Sequence, residues 1–381
     1  MLRQWLMSIK FRLVPTGGLR ANGGVLTAIA VAAVAVGAYL AGDAGRTARF
    51  ATTAAYAADK PALSAVQLSL IGARQWLNTD PLQAADLRGK VVLVNFWTYS
   101  CINSLRALPY VRAWADKYKD RGLVTVGGHA PEFGFEHDIT NVRRATSLYD
   151  VRYPVTPDND FTVWNAFDND GWPAFFLIGA DGRVRQRMLG EGDYDKIERT
   201  IQRLLDEANG SPGASDLVNV VGEGVQAPPD LDDLLSPERY VGYAKAENFA
   251  SPGGLAAGAK AYTAPTTLRL NHWGFAGVWN VSGEFATLSA APGGIRFRFH
   301  ARDLHLVLGP SVPGQLARFR VKLDGASPEA DHGIDVDPDG EGRVQEPRLY
   351  QLIRQTRPVV DRTFEIEFLD PGVRAYVFTF G

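Results

Sequence analysis

Hydrophobic and polar positions change rhythm twice along this chain. Residues 25–41 are apolar without a single charge and rich in Ala and Val. From about residue 61 to 205, short apolar runs alternate with amphipathic stretches. Leu87-Arg88-Gly89-Lys90 is a turn feeding residues 91–96, a continuous apolar run that predicts a buried strand. Residues 104–119 carry Leu105, Leu108, Val111 and Trp114 at helical spacing, and Gly122 ends that helix. Strands follow at 123–127, 174–178 and 183–189, with helices at 141–149 and 196–205. Strands alternating with helices and closing in a hairpin plus a helix predict a mixed sheet covered on both faces.

Beyond residue 207 the rhythm changes again. Residues 207–236 are rich in Gly, Pro, Ser and Asp, the composition of a linker. Then Ile295-Arg296-Phe297-Arg298-Phe299-His300, Phe319-Arg320-Val321-Lys322-Leu323 and Phe364-Glu365-Ile366-Glu367-Phe368 alternate strictly. With Pro292-Gly293-Gly294 read as a turn and residues 376–380 as a last strand, they predict an all-β, jelly-roll-like sandwich over 237–381. The expected organisation is a basic segment 1–22, an apolar span 23–42, a spacer 43–60, an α/β domain 61–206, the linker, and the sandwich.

Charge sharpens the reading of the N-terminus. Arg3, Lys10, Arg12 and Arg20 precede the apolar run, whereas Asp43, Arg46 and Arg49 follow it with little net charge. A spanning helix needs about 20 mostly apolar residues, and basic flanks stay cytoplasmic. A single-pass anchor with the bulk of the chain on the periplasmic or cell-surface side is expected. A cleaved signal peptide ending near Ala55-Tyr56-Ala57 is the alternative, and it gives the same extracytoplasmic address. Net charge is only −2 over 381 residues, so no nucleic-acid footprint is present.

Candidate chemistry centres on Cys101, the only cysteine. One cysteine rules out a disulfide framework and a cysteine-rich zinc site, and the six histidines have no metal spacing. Cys101 stands at the start of the predicted helix 104–119, where free N–H groups and the helix dipole favour a thiolate. Such placement lowers a thiol pKa from about 8.5 toward roughly 3.5–7.5; a small buried hydrophobe is the alternative. Pro109 falls inside the helical pattern and predicts a kink. Gly171-Trp172-Pro173-Ala174 precedes a strand, where Pro173 is a candidate cis-proline. Ser104 occupies the position at which a Cys-x-x-Cys pair would have its second thiol.

These residues carry a resemblance. Residues 87–103 resemble the active-site segment of the TlpA/DipZ-type thioredoxin-like family. His129-Ala130-Pro131-Glu132-Phe133-Gly134-Phe135-Glu136 and Trp172-Pro173-Ala174 are similar to later landmarks of that family. So are Pro237-Glu238-Arg239-Tyr240-Val241-Gly242-Tyr243, residues 348–354 and residues 363–372. The resemblance implies a thioredoxin fold followed by a carbohydrate-binding-module-like β domain. By the family pattern Cys101 is the attacking thiol, Pro173 the cis-proline, and the Trp172 backbone a partner for an extended substrate. Asn95 stands where thioredoxin has a buried acid, and Glu132 lies roughly where related reductases keep a proton-managing acid. An exposed helix-start glutamate is the other reading of Glu132.

Ser104 departs from the pattern. A hydroxyl can hydrogen-bond a thiolate but cannot displace a sulfur, so dithiol redox chemistry by this chain alone is excluded. Monothiol exchange on disulfide-bearing envelope proteins is expected. The alternative is a redox-silent module binding glycan or protein, with Trp273, Trp279, Tyr240, Tyr243 and Tyr262 as a sugar-stacking face. Asp335-Val336-Asp337-Pro338-Asp339-Gly340 with Glu346 fits a calcium-loop spacing, but it lacks a preceding helix and reads first as an acidic turn. No cofactor is implied.

Overall fold

The computed structural model describes residues 63–213 and 215–381. The expected segments 1–22, 23–42 and 43–60 lie outside the described residues. Among the described residues no helix is long and apolar enough to cross a membrane.

Two short helices, α1 (Ala65–Ile71) and α2 (Ala84–Leu87), lead into β1 (Val91–Trp97). Every residue of β1 is buried, because its side chains alternate between two separate cores. Val92, Val94 and Phe96 pack toward α1 and a one-turn helix α5 (Thr162–Ala166). Val91, Leu93 and Trp97 pack toward α3 (Ile102–Tyr118), α4 (Ile139–Leu148) and α6 (Tyr194–Asn209). Strands β2 (Leu123–His129) and β3 (Val155–Pro157) run parallel to β1; β4 (Ala174–Ile178) and β5 (Val184–Leu189) run antiparallel. The sheet order is β3-β2-β1-β4-β5. The expected strands and long helices form; β3 and α5 are too short to leave a periodic signal.

The C-terminal domain is all antiparallel, but it is one curled sheet rather than two facing ones. Its strands are β6 (Arg239–Tyr240), β7 (Gly258–Tyr262), β8 (Trp273–Val281), β9 (Ala286–Phe299), β10 (Asp303–Pro310), β11 (Ala317–Leu323), β12 (Glu341–Val344), β13 (Arg348–Arg354), β14 (Arg362–Phe368) and β15 (Val373–Phe380). The central order is β12-β11-β14-β9-β15-β10-β13, with β6 on β15, β8 on β9 and β7 on β8. Long β9 makes the sheet continuous: its start pairs with β15 and its end with β14. Pro292-Gly293-Gly294, expected as a turn, runs inside β9 opposite a bulge in β8. Gly277 makes that bulge possible, with φ +88° and only 2.9 Å between a notional Cβ and Gly293 Cα.

The two domains share a core. Leu105, Leu108 and Val111 of α3 belong to the same apolar cluster as Val307, Leu349, Tyr376 and Val377 of the β domain. The Gly/Pro-rich segment between them packs into this seam: Val225 is buried, and the Gln226 side chain donates to the Leu105 carbonyl at 3.3 Å. That carbonyl is the one Pro109 leaves without its helical N–H partner, so the kink and the connecting segment satisfy each other.

Inside the β domain, buried Asp303 accepts from Arg354 at 2.7 Å and from Arg302 at 2.6 Å. Burial pushes its pKa up, but Arg354, His305 and Arg302 outweigh burial and hold it below the ordinary value. A depressed carboxylate contributes stability that is present above the unfolded value and lost as pH falls through the folded one. Urea unfolding of the Asp303→Asn variant is therefore expected to show about 3 kcal/mol less stability at pH 7, with the difference shrinking as pH falls below roughly 4.

Candidate active site

Register delivers the site residues to one end of the α/β sheet. Parallel pairing sets Trp97 opposite His129, so the loop to Cys101 and the turn 130–136 leave together. Antiparallel pairing sets Phe96 opposite Ala174, so Trp172 and Pro173 emerge at that same end. Gly128 lets β2 lie close there, since a Cβ would meet the Phe96 ring at 2.9 Å.

Cys101 is the N-cap of α3 and is half-buried. Ser104 is fully buried behind it. Its hydroxyl and N–H both reach the cysteine sulfur, and its Oγ accepts from the Thr98 N–H at 3.4 Å. The Trp172–Pro173 peptide is cis. Pro173 is buried and its carbonyl accepts from Gly190 N–H at 2.7 Å. Trp172 precedes β4, so its backbone stands outside both ladders, while its ring rests on Trp164 at 4.7 Å. Asn95 is buried, its amide donating weakly to the Phe96 and Ala174 carbonyls.

The loop before Cys101 is held by a residue that sequence reasoning marked only as a family landmark. Glu136 is completely buried and accepts five hydrogen bonds, from Thr98 Oγ1, Ser100 N and Oγ, and the backbone N–H groups of Glu132 and Phe133. Its partners are all neutral, and burial holds its pKa above the ordinary range despite them. The signal was present in the Phe133-to-Glu136 spacing, where a side chain returns to cap its own turn.

Glu132 is not an exposed helix-start residue. Its carboxylate accepts from the Tyr240 hydroxyl at 2.5 Å, and Glu238 crowds the same hydroxyl. Both partners come from the segment entering the β domain. Burial and then the Glu238 charge hold the Glu132 pKa well above the carboxylate range. The expected depression of the Cys101 pKa is overturned. Burial first, then the Glu132 charge, push the thiol up to about 12, against the bonds from Ser104. A helix N-terminus contributes only about 0.3–1 kcal/mol at an exposed site, less than one pH unit, so burial and the neighbouring carboxylates win.

The other candidate sites dissolve. Trp273 and Trp279 are fully buried and Tyr262 nearly so, which leaves no stacking face. Tyr243 is exposed away from them, and Tyr240 belongs to the thiol site. In the calcium-like loop, Asp335 is taken by Arg348 at 2.6 Å and by the Gln351 N–H at 2.8 Å, while Asp337 caps Glu341 N–H. Among the described residues no group of three acidic, His or Cys side chains is placed to hold a metal.

The chain is similar in sequence to known proteins. Residues 89–184 match the thioredoxin-like family model, and residues 236–381 match the model described as thioredoxin-like C-terminal domain. Residues 89–184 form a thioredoxin-like domain. The chain is similar to protein DipZ of Mycobacterium bovis, 37% identical over 245 residues, which are 63% of this chain and 34% of DipZ. The chain thus spans about a third of the length of that relative. Thiol-disulfide oxidoreductase YkuV of Bacillus subtilis is 28% identical over 138 residues, 36% of this chain and 93% of YkuV. Among solved structures, a thiol-disulfide isomerase from Corynebacterium glutamicum aligns with TM-score 0.33 at 20% identity, over 35% of this chain and 92% of the other.

Two outcomes test the electrostatics of the site. Iodoacetamide labelling of Cys101 is expected to be slow at pH 7 and to accelerate throughout the alkaline range. In the Glu132→Gln variant the removed negative charge should lower the half-point by on the order of one pH unit; an unchanged profile would show that Glu132 does not act on the thiol.

Proposed function

We propose that this protein performs thiol–disulfide exchange with Cys101 as its single thiol. The observation that carries the reading is the half-buried Cys101 at the N-cap of α3, with the Ser104 hydroxyl in reach of its sulfur and no second cysteine in the sequence. Its likeness to YkuV and to other proteins named as thiol-disulfide oxidoreductases supports the reaction class.

In the first step the Cys101 thiol gives up its proton to solvent and the sulfur attacks a substrate disulfide. A mixed disulfide forms, and the second substrate sulfur leaves with the bonding electron pair and takes up a proton. Ser104 steadies the sulfur anion but cannot break the mixed disulfide. Release needs another thiolate: the substrate's own, which gives isomerisation, or an external thiol, which ends up joined to the substrate. Cys101 then leaves as thiolate and takes up a proton from solvent. The Trp172 backbone, free of the ladders, suits an extended substrate segment beside the buried Pro173.

The proposal extends to location and partners. The apolar span 23–42 with basic residues before it would anchor the chain once through the membrane and leave the thiol on the extracytoplasmic side. Disulfide-bearing envelope proteins are then the substrates.

Hydroxyethyl disulfide tests the chemistry. One mixed disulfide is expected on Cys101, stable until an external thiol is added and absent from Cys101→Ser; failure to form it would sink the reading. Ser104→Cys places a sulfur where the hydroxyl lies. It should convert the adduct into an internal disulfide and confer insulin reduction in the presence of dithiothreitol, an activity expected to be at least tenfold weaker in the natural chain.

A further inference from the structure

The Cys101 site draws on both domains. Tyr240 lies in β6, pinned by antiparallel pairing to Val377 of β15 and by the Val241 N–H donating to the Tyr376 carbonyl at 2.8 Å. Its ring packs near Phe133, with centroids 6.4 Å apart, and Lys245 Nζ sits 4.4 Å over its face. The hydroxyl therefore has little freedom, and it points at Glu132 Oε1, 2.5 Å away. Glu132 is fixed from the other side as well, since its backbone N–H is bound by Glu136 at 2.6 Å. A phenol has one hydrogen to give, and the Glu132 carboxylate takes it.

The aromatic seam keeps these parts together. Tyr99 of the active-site loop contacts Phe135, Phe135 contacts Tyr376 of β15, and Tyr376 contacts Phe285 at the start of β9's neighbouring turn. Gly134 N–H donates to Glu284 of that turn at 2.6 Å. The turn carrying Glu132 is thus clamped against the β domain at both its ends.

We infer that Tyr240, supplied by the C-terminal domain, is a positioning residue of the thiol site: its hydroxyl holds the Glu132 carboxylate beside Cys101, so the site is complete only with the β domain docked. The inference rests on the thiol-exchange reading for its purpose, but its geometry is independent of it. The groups facing Glu132 are Glu238, Tyr240, Glu136 and Lys245; those facing Cys101 are Glu132, Glu238 and Ser104. Tyr240 acts through Glu132. Its hydrogen bond stabilises the ionised carboxylate, so losing it favours a neutral or displaced Glu132 and leaves less negative charge beside the sulfur.

The test is a double-mutant cycle read by the pH profile of Cys101 alkylation with iodoacetamide. Tyr240→Phe keeps the ring and drops the hydroxyl. It should speed alkylation several-fold between pH 7 and 9, with unfolding by urea unchanged in cooperativity. In the Glu132→Gln background the same substitution should do nothing further, because the residue it acts through is gone. A Tyr240→Phe profile that superimposes on the natural one, or an effect fully additive with Glu132→Gln, overturns the inference. Glu238→Gln, at an exposed position, removes a charge that acts on Cys101 directly; it should also speed alkylation, and its effect should persist in the Tyr240→Phe background, whereas loss of its effect there would overturn the assignment of Tyr240 to Glu132. Exchange with hydroxyethyl disulfide is scored separately, so loss of that reaction condemns the functional reading while the alkylation cycle still decides the role of Tyr240.

Discussion

Glu136 is the constraint on which the site rests. A carboxylate with no exposed surface costs several kcal/mol to desolvate, and here no cation offsets that cost. Five neutral donors converge on it instead, from the loop before Cys101 and the turn after β2. Each of those donors would itself be unsatisfied without the carboxylate, and a buried orphan donor costs about 1–3 kcal/mol. The network is consequently all-or-none. It fixes the approach to Cys101 on one side and the backbone of Glu132 on the other, and so sets the distance at which charge meets sulfur.

The resulting site stores its thiol protonated. In a protein with two active-site cysteines a low thiol pKa favours both attack and departure. With one cysteine, a permanently formed thiolate would be exposed to irreversible oxidation with no partner thiol to rescue it as a disulfide. Burial, Glu132 and Glu238 hold Cys101 in the less reactive form, while Ser104 keeps a hydrogen bond ready for the anion. Reactivity then depends on what arrives to desolvate or neutralise the carboxylates, and that places the control in the surroundings of the sulfur instead of in the sulfur itself.

The β domain belongs to this control. Its apolar contact with α3 buries the first turns of the helix from the side opposite the sheet, which is why residues 104–109 are all buried. Arg106 illustrates the cost of that arrangement: nearly fully buried, it donates to Glu191 at 3.0 Å and to the Phe380 carbonyl at 3.4 Å, one partner from each domain, while its Nε is left without a partner. The Gly/Pro-rich segment fits the same seam, with Gln226 filling the hydrogen-bond vacancy that Pro109 creates.

The sequence by itself determined the local elements and the chemical type of the thiol. Continuous apolar runs, helical spacing and strict alternation depend only on neighbours along the chain, and they located β1, α3, β11 and β14 within a few residues, but only the second half of β9. The absence of a second cysteine from these 381 residues is equally local, and it excludes dithiol chemistry by them alone without any coordinates. What the sequence left open depends on residues far apart in it. Whether β9 joins two layers into one curled sheet is set by ladder partners 63 to 89 positions away. Whether Trp273 and Trp279 face solvent or core is set by packing of the opposite strands. The charge state of Cys101 was misjudged because the helix N-terminus is visible in sequence, whereas its burial and the approach of Glu132, Glu238 and Tyr240 exist only once two domains dock. Electrostatics and desolvation sum over all neighbours in space, and only the tertiary structure supplies those neighbours.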